Sequence, residues 1–480
     1  MKLSVIAEEI GAPYTGPELE IESVVYDSRA VTPGCLFCCL VGLVSDGHTF
    51  AAQAAEKGAA ALIVQRRLPV SLPQLVVPDS RKAMALAAAC VCRHPEREMI
   101  LLGVTGTNGK TSTTYMVKAI AEQAGVKVGL IGTIQNMIGD EVIETGRTTP
   151  ESADLFALLR RMVDEGVGLC VMEVSSHALV QDRVAGIQYR VAMFTNLTQD
   201  HLDYHKTFDN YLNAKKRLFS QCDTAIINHD DPYAERIMDG LSCPIYTTGI
   251  HTPASYNASN IDIRTSGVRF TLRTPPGETV NIRLHISGLF SIYNAMGAAA
   301  MMHQAGFGLK EIAAGLESLS GVAGRLQTVD TNGRPFAVYV DYAHTPDALE
   351  NVLTTVRGFA TARVLALFGC GGDRDRAKRP LMGEIAGRYA DFVIVTSDNP
   401  RTENPEAIIR AIEDGVKKTG TPYLTITNRR EAIAYALNRL EEHDILVIAG
   451  KGHETYQEIN GVKHHFDDRE VVEELLRNLP

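Results

Sequence analysis

At 480 residues the chain exceeds what one hydrophobic core organises, so two to four domains are expected. Apolar residues make up 45% of it, which excludes the disordered and fibrous classes. The formal charge of −10 speaks against non-specific binding to nucleic acid or anionic membranes, while leaving room for local basic pockets around phosphates or carboxylates.

No apolar stretch is long enough to span a bilayer, and Met1-Lys2-Leu3 leads towards Ala7-Glu8-Glu9 rather than a signal-type apolar run. The nine cysteines are odd in number and lack framework spacing, so a reducing cytoplasm is the expected compartment. The segment to about residue 95 mixes short strands with alanine-rich helices such as 50–58. Cys35, Cys38 and Cys39 fall in a strand-like run where thiols serve as small apolar groups. Cys90, Cys92 and His94 end an alanine-rich helix. Neither cluster has a second ligand pair at zinc spacing. His94-Pro95 marks a boundary.

An apolar run from Met99 to Val104 reads as a buried strand; it breaks into a turn holding Gly106 and Gly109, and a helix follows from Lys110 to Ala124. Backbone N–H groups of such a turn and the positive helix start form a cradle for phosphate oxygens. Lys110 would reach the outer phosphates of a nucleoside triphosphate, and the Thr111 hydroxyl would ligate magnesium. The strict phosphate-loop spacing is not met, because Val104 occupies the place of the first glycine.

Further strands are expected at 127–131, 169–174, 191–196 and 224–228. Glu173 ends one of them, at the carboxyl end of a parallel strand beside the phosphate loop, where a magnesium ligand belongs. The polar cluster from Thr195 to His205 follows another. By themselves Asp200, His201, Asp203 and His205 read equally as a zinc site or a solvated loop, and the nearby phosphate loop favours magnesium. Lys215, on an amphipathic helix, reads as a solvated charge. A β-rich stretch (255–286), an alanine-rich helix (292–304) and a hinge (321–325) lead to a last segment. There, strands at 338–341, 364–368, 392–396 and 445–449 alternate with helices, as in a parallel doubly wound sheet.

Three of these last strands run into charged loops: Gly369–Arg376, Ser397–Glu403 and Gly450–Glu454. In an open parallel sheet such ends line one crevice and offer guanidinium forks to carboxylates and acceptors to ammonium groups. Gly369-Cys-Gly-Gly is not followed directly by a helix, and Gly450-Lys451-Gly452 is not followed by Ser or Thr. Neither reads as a second nucleotide site.

The combination of Gly106-Thr107-Asn108-Gly109-Lys110-Thr111, Glu173-Val-Ser-Ser-His, Asp200-His-Leu-Asp-Tyr-His, Ala214-Lys215-x-x-Leu-Phe, Asn294, Gly324-Arg325 and Asp341-Tyr-Ala-His-Thr-Pro-Asp resembles the Mur ligase family across essentially the whole chain. These are ATP-dependent amide ligases that build the peptide stem of peptidoglycan. The resemblance implies an α/β fold of three domains: an N-terminal UDP-sugar-binding domain (1–95), a central P-loop-type ATPase domain with a mostly parallel sheet (96–325), and a C-terminal amino-acid-binding, Rossmann-like doubly wound domain (326–480). It implies ATP held by 106–112, Ser112 included, with Asn294, Arg325 and Asp341 at the adenine and ribose. The last two of these would swing in with the final domain. It implies Mg2+ on Thr111, Glu173, His201 and Lys215, the last carried as N6-carboxylysine, with Lys110, Lys215 and His201 catalytic. A carbamate turns a cation into an anion that can ligate a metal, which an ammonium repels.

Within the family, Asp398-Asn399-Pro400-Arg401 is similar to the signature of members that add meso-2,6-diaminopimelate. Arg401 would pair with the distal carboxylate that lysine lacks. The bland reading of Arg401 is a cap on a local carboxylate such as Glu403. Arg374, Gly450 and Glu454 match the remaining contacts to that substrate. Tyr26, Ser28, Thr148, Thr149, Ser175, Gln181 and Arg183 match positions that hold UDP-N-acetylmuramoyl-L-alanyl-D-glutamate. Ser112, Arg147 and Lys206 depart from the commoner threonine, small amide and glycine of relatives. The expected protein is a cytoplasmic monomer with neither nucleic-acid nor membrane partners. Alternatives are a lysine-adding member, a folylpolyglutamate-synthetase-like ligase and a non-catalytic ATP-binding scaffold.

Overall fold

A computed structural model describes residues 1–42, 45–264, 266–275 and 277–478. The chain forms two compact units, Met1–Tyr256 with Gly297–Gly315, and Asn257–Met296 with Leu316–Pro480.

In the first unit, β1 (Ser23–Val25), β2 (Cys35–Cys38), β3 (Ala61–Val64) and β4 (Gln74–Val76) form a parallel sheet in that order. Side chains alternate across it: Leu36 and Cys38 join one core with Ala61 and Ile63, while Cys35, Phe37 and Cys39 join another with Leu62 and Val64. The thiols thus act as core groups. The helix Ser80–Val91 starts at Asp79, whose carboxylate accepts from the Arg81 and Lys82 amides. Its Ala83 and Ala87 pack on the same sheet, where small side chains permit close approach.

A larger sheet follows, made of β5 (Ile100–Thr105), β6 (Val128–Ile131), β7 (Asn136–Ile138), β8 (Glu141–Ile143), β9 (Leu169–Glu173), β10 (Val191–Phe194), β11 (Ala225–Asn228) and β12 (Ile245–Gly249). Their spatial order is β12-β11-β10-β5-β9-β6-β7-β8, parallel from β12 to β6 and antiparallel beyond. β9 and β10 are buried at every residue, as a parallel sheet covered on both faces requires. The carboxyl ends of β5, β9 and β10 therefore meet at one edge. The expected strand 191–196 stops at Phe194. Asn196 leaves the ladder because its amide oxygen accepts from the Asn108 N–H. The helix Ser152–Asp164 buries Leu155, Phe156, Leu159 and Met162 at helical spacing.

In the second unit, β13 (Tyr256–Arg264), β14 (Gly267–Arg273) and β15 (Thr279–Leu284) form an antiparallel meander. A second sheet comprises β16 (Gln327–Val329), β17 (Ala337–Asp341), β18 (Val364–Phe368), β19 (Phe392–Thr396), β20 (Tyr423–Ile426) and β21 (Ile445–Ala449), in the order β16-β17-β21-β18-β19-β20. All its pairs are parallel except β16 with β17. Val364, Ala366 and Phe368 point into a core with the helices Pro346–Arg357, Lys378–Tyr389 and Pro405–Val416. Leu365 and Leu367 point into the opposite core, with Arg429–Arg439 and Asp468–Asn478. That alternation makes the sheet doubly wound. β21 lies between β17 and β18, so the strand order reverses there and the loops after β18 and β21 open on one crevice. β22 (Tyr456–Ile459) and β23 (Val462–His465) form a hairpin.

Phe156 is fully buried in the core of the first unit. Phe156→Ala is expected to lower stability by about 3–5 kcal/mol, read as a fall in the urea midpoint followed by circular dichroism.

Candidate functional site

The turn after β5 brings the phosphate-loop residues together. Gly106 has φ +151, and a Cβ there would stand 1.8 Å from Thr195 Oγ1, so only glycine fits. Gly109 caps the helix Lys110–Gln123. The loop is braced from the end of β10: Thr107 N donates to the Asn196 carbonyl at 2.9 Å, and Thr195 Oγ1 donates to the Asn108 carbonyl at 2.6 Å. Lys110 Nζ curls back to the carbonyls of Gly106 (2.9 Å) and Thr107 (2.8 Å). Ser112 is buried in the first turn of the same helix.

Lys215 is 2% exposed rather than the solvated charge its helix pattern suggests. Its Nζ donates to the Gly106 carbonyl at 2.6 Å and lies 4.5 Å from the centre of the Tyr211 ring. One carbonyl thus receives both lysines. Burial, and then the Lys110 charge, hold the Lys215 ammonium well below the ordinary lysine range. The Thr111 hydroxyl donates to Glu173 Oε1 at 3.0 Å, and both residues are buried. Thr133 holds the same carboxylate through its N–H (2.9 Å to Oε1) and hydroxyl (3.0 Å to Oε2). Thr133 carries no sequence signal of its own, since its role depends on β6 lying beside β9.

His201 begins the short helix Leu202–His205 in a left-handed conformation; its ring lies edge-on to His177 with centroids 4.8 Å apart. Among the described residues, no group of three or more His, Cys, Asp or Glu gathers to hold a metal. The Asp203 side chain lies outside the described residues. Lys206 adopts φ +69, a left-handed conformation that favours glycine. A magnesium ion suits the hard oxygen donors of Thr111 and Glu173, which already stand in contact.

Beside this edge a second group converges. Thr149 Oγ1 donates to the Glu173 carbonyl (2.8 Å) and accepts from Ser175 N (3.1 Å), while Thr148 and Thr133 hydroxyls are 3.1 Å apart. Arg183 donates to the Thr149 carbonyl (2.9 Å) and to Gln181 Oε1 (2.7 Å). It also pairs with Glu151 at 3.0 Å. Glu151 is 5% exposed and draws Arg81 and Arg147 as well, so the departing Arg147 finds a carboxylate four residues on. Tyr26 OH donates to Asp154 at 2.7 Å and joins this neighbourhood. Ser28 is tied within its own sheet region, its carbonyl accepting from Lys57 at 2.7 Å.

In the second unit, Asp341 ends β17, and both of its oxygens accept backbone N–H groups, from Leu326 (2.6 Å) and Ala343 (2.8 Å). Burial raises its pKa, against the pull of Arg325. Arg325 stacks over the Tyr342 ring at 5.3 Å, and Asn294 is buried in the helix Leu289–Gln304.

The three charged loops do share the crevice. Asn399 Nδ2 donates to Glu454 Oε2 at 2.8 Å, and Gly372 N donates to the Asn399 carbonyl at 2.9 Å. Gly450 N donates to the Asp341 carbonyl at 3.1 Å, and Glu403 N to the Pro400 carbonyl at 3.0 Å. Arg374 donates to the Asp373 carbonyl at 3.2 Å. Arg401 does not cap Glu403. That carboxylate is taken bidentately by the buried Arg379, which holds its pKa down to about 2, and by Arg376 and the Asp373 amide. Arg401 instead donates to the Gly372 carbonyl at 2.8 Å and meets Glu458 of β22 at 3.3 Å. Glu458 and Arg379 were not legible in sequence, because Glu458 lies 57 residues from Arg401 and Arg379 lies 24 from Glu403.

Family models match across the chain: "Mur ligase family, catalytic domain" at residues 20–101, "Mur ligase middle domain" at 104–302 and "Mur ligase, glutamate ligase domain" at 324–452. UDP-N-acetylmuramoyl-L-alanyl-D-glutamate–2,6-diaminopimelate ligase of Geobacillus thermodenitrificans is 49% identical over 468 residues, covering 96% of this chain and 95% of that protein. A solved structure of a ligase with the same name is 35% identical, with a TM-score of 0.72 and 95% of each chain covered. A MurF ligase from Thermotoga maritima, solved in complex with ADP, shares the fold at 17% identity and a TM-score of 0.63, covering 95% of this chain and 97% of that one.

Because the Gly106 turn has no room for a side chain, Gly106→Ala is expected to weaken binding of a fluorescent nucleoside triphosphate by about a hundredfold or more, measured by titration, with the melting temperature of the second unit unchanged.

Proposed function

The chain belongs to the Mur ligase family, and on that footing we propose that it joins meso-2,6-diaminopimelate to UDP-N-acetylmuramoyl-L-alanyl-D-glutamate at the expense of ATP. The observation that carries the chemistry is the convergence of Lys110 and Lys215 on the Gly106 carbonyl, in the loop that also leads to the Thr111–Glu173 pair. That arrangement suits a reaction in which one anion must attack another. The D-glutamate carboxylate attacks the γ-phosphorus of ATP, the bond to ADP breaks, and an acyl phosphate forms. The amine of diaminopimelate then attacks the acyl carbon, loses a proton, and phosphate leaves.

The chain's residues have separable parts in this scheme. Gly106, Thr107, Asn108, Gly109, Thr111 and Ser112 cradle the phosphates, and Lys110 leaves its two loop carbonyls to meet the γ-phosphoryl oxygens. Asn294, Arg325 and Asp341 are assigned to the adenine and ribose. Thr111, Glu173, His201 and Lys215 are the residues that would hold Mg2+, which when bound supplies neutralisation of the triphosphate charge. Burial, and then the neighbouring Lys110, lower the proton affinity of Lys215, which favours the neutral amine that carbon dioxide would convert to a carbamate. Tyr26, Ser28, Thr148, Thr149, Ser175, Gln181 and Arg183 are assigned to the sugar-nucleotide dipeptide. Arg374, Asp398, Asn399, Pro400, Arg401, Gly450 and Glu454 are assigned to diaminopimelate. Domain limits at 95 and 325, a monomeric state and a cytoplasmic site of action belong to the same reading. Among the described residues no helix is long and apolar enough to cross a membrane.

The arrangement of Arg401 supports the choice of amine. Held by Gly372 and Glu458, its guanidinium is fixed in place for the carboxylate that distinguishes diaminopimelate from lysine. Lysine would leave it unanswered and bring a further cation close by.

Phosphate release in the presence of ATP and the sugar-nucleotide dipeptide should therefore depend on diaminopimelate, with lysine at least about a hundredfold poorer in kcat/KM. Equal use of lysine would remove Arg401 from its assigned role, and nucleotide binding without turnover would favour a scaffold. Lys215→Ala should abolish ligation and regain part of it when a small carboxylate such as acetate is added, measured by the same release assay.

A further inference from the structure

Lys451 is fully buried, and the reaction scheme assigns it nothing. It stands between Gly450 and Gly452 and resembles a phosphate-loop lysine only in sequence. In the structure its Nζ donates to Asn399 Oδ1 at 3.2 Å and to the Tyr456 carbonyl, and lies 3.5 Å from Glu454 Oε2. Asp398 Oδ1 is 3.9 Å away. An ammonium has three N–H donors, and three acceptors surround this one, so none is left for a phosphate.

The partners of Lys451 are residues of the diaminopimelate loops. Asn399 Oδ1 also accepts from the Glu458 amide at 2.9 Å, and its Nδ2 donates to Glu454. The side-chain amide is therefore locked with its oxygen towards Lys451 and its nitrogen towards Glu454. Asp398 is pressed in from the other side: a Cβ at Gly450, where φ is +114, would lie 2.5 Å from Asp398 Oδ2. Gln457 donates to the Asp398 carbonyl at 2.6 Å. Behind the loop, the buried Arg429 donates to both oxygens of Asp468 and to the Ala449 carbonyl, fixing the strand end just before Gly450.

We propose that Lys451 is a positioning residue for the amino-acid substrate: its buried ammonium keeps the Asp398 and Glu454 carboxylates side by side and orients the Asn399 amide, so that together they receive an ammonium group of that substrate. The proposal rests on the reading of these loops as the diaminopimelate subsite. Its physical basis is charge balance. Two carboxylates gathered in a poorly hydrated crevice repel, and one of them protonates unless a cation stands beside them. Burial, and then Asp398, push the Glu454 carboxyl up, while Lys451 and the Asn399 amide pull it down. Two anions and one cation leave a net charge of −1 facing an incoming ammonium. Without Lys451, a proton on Glu454 would remove that attraction, and Asn399 would be free to turn.

The test is steady-state kinetics of the full-length enzyme with Lys451→Met and Lys451→Arg, varying each substrate in turn. Lys451→Met should raise the KM for diaminopimelate by about thirtyfold or more while the KM values for ATP and the sugar-nucleotide dipeptide stay within about twofold. Lys451→Arg, which keeps the charge, should recover part of that loss. A KM for diaminopimelate unchanged in Lys451→Met, or an equal rise in all three KM values, overturns the proposal, because a purely structural lysine would not select the amine. Where Lys451→Met does not yield folded protein, Lys451→Arg decides by the same comparison: a rise of about threefold or more confined to diaminopimelate supports the proposal, and no selective rise overturns it. Wild-type enzyme that fails to use diaminopimelate overturns the functional reading itself, a result distinct from an active wild type with unselective variants.

Discussion

The carbonyl of Gly106 is the point on which the arrangement at this edge of the first unit depends. Two lysines, 105 residues apart in sequence, donate to it at 2.9 and 2.6 Å, and one of them is nearly sealed from water. A buried ammonium beside a second cation cannot remain an ordinary lysine. Lys215 is drawn to this position by the helix Phe208–Lys216, and the loop it meets is held open by a glycine that the close approach of Thr195 makes obligatory. The lowered proton affinity of Lys215 is therefore a consequence of its burial and of Lys110 beside it rather than of any local feature of the lysine.

The same physical rule governs the second unit with the opposite outcome. Lys451 is as deeply buried, yet it is surrounded by acceptors and carboxylates rather than by another cation. Its charge is matched locally, as is that of Arg429 by Asp468. In one unit burial sets a lysine beside another cation, and in the other it sets one among carboxylates. The difference lies in the neighbours that the two sheets bring up, and both sites sit at the carboxyl ends of parallel strands, where loops from separate parts of the chain are forced together.

Arg401 is placed in a similar way. Arg401 reads as the discriminating residue because of its motif, but its direction is set by Gly372 on one loop and Glu458 on the hairpin. Glu403, the carboxylate nearest to it in sequence, is taken by Arg379 from the helix Lys378–Tyr389. Competition among three arginines for one glutamate thus leaves Arg401 to other contacts.

Much of the architecture was readable from residue order alone. Strands β18, β19 and β21 coincide with the apolar runs 364–368, 392–396 and 445–449, because a doubly covered parallel strand is almost wholly apolar and these end at Gly369, Ser397 and Gly450. The turn after β5 was legible for the same kind of reason: its glycines, lysine and threonine are contiguous. Lys215 was not, since helical periodicity marks a residue's face but not what lies opposite it. Nor were Thr133, Glu151, Arg379, Lys451 and Glu458, whose roles exist only through partners on other strands and helices. The sequence by itself determined the elements, the family motifs and the reactive groups on offer. Tertiary structure alone decided which charges are buried, which are paired and which way they point, because those properties belong to contacts between segments far apart along the chain.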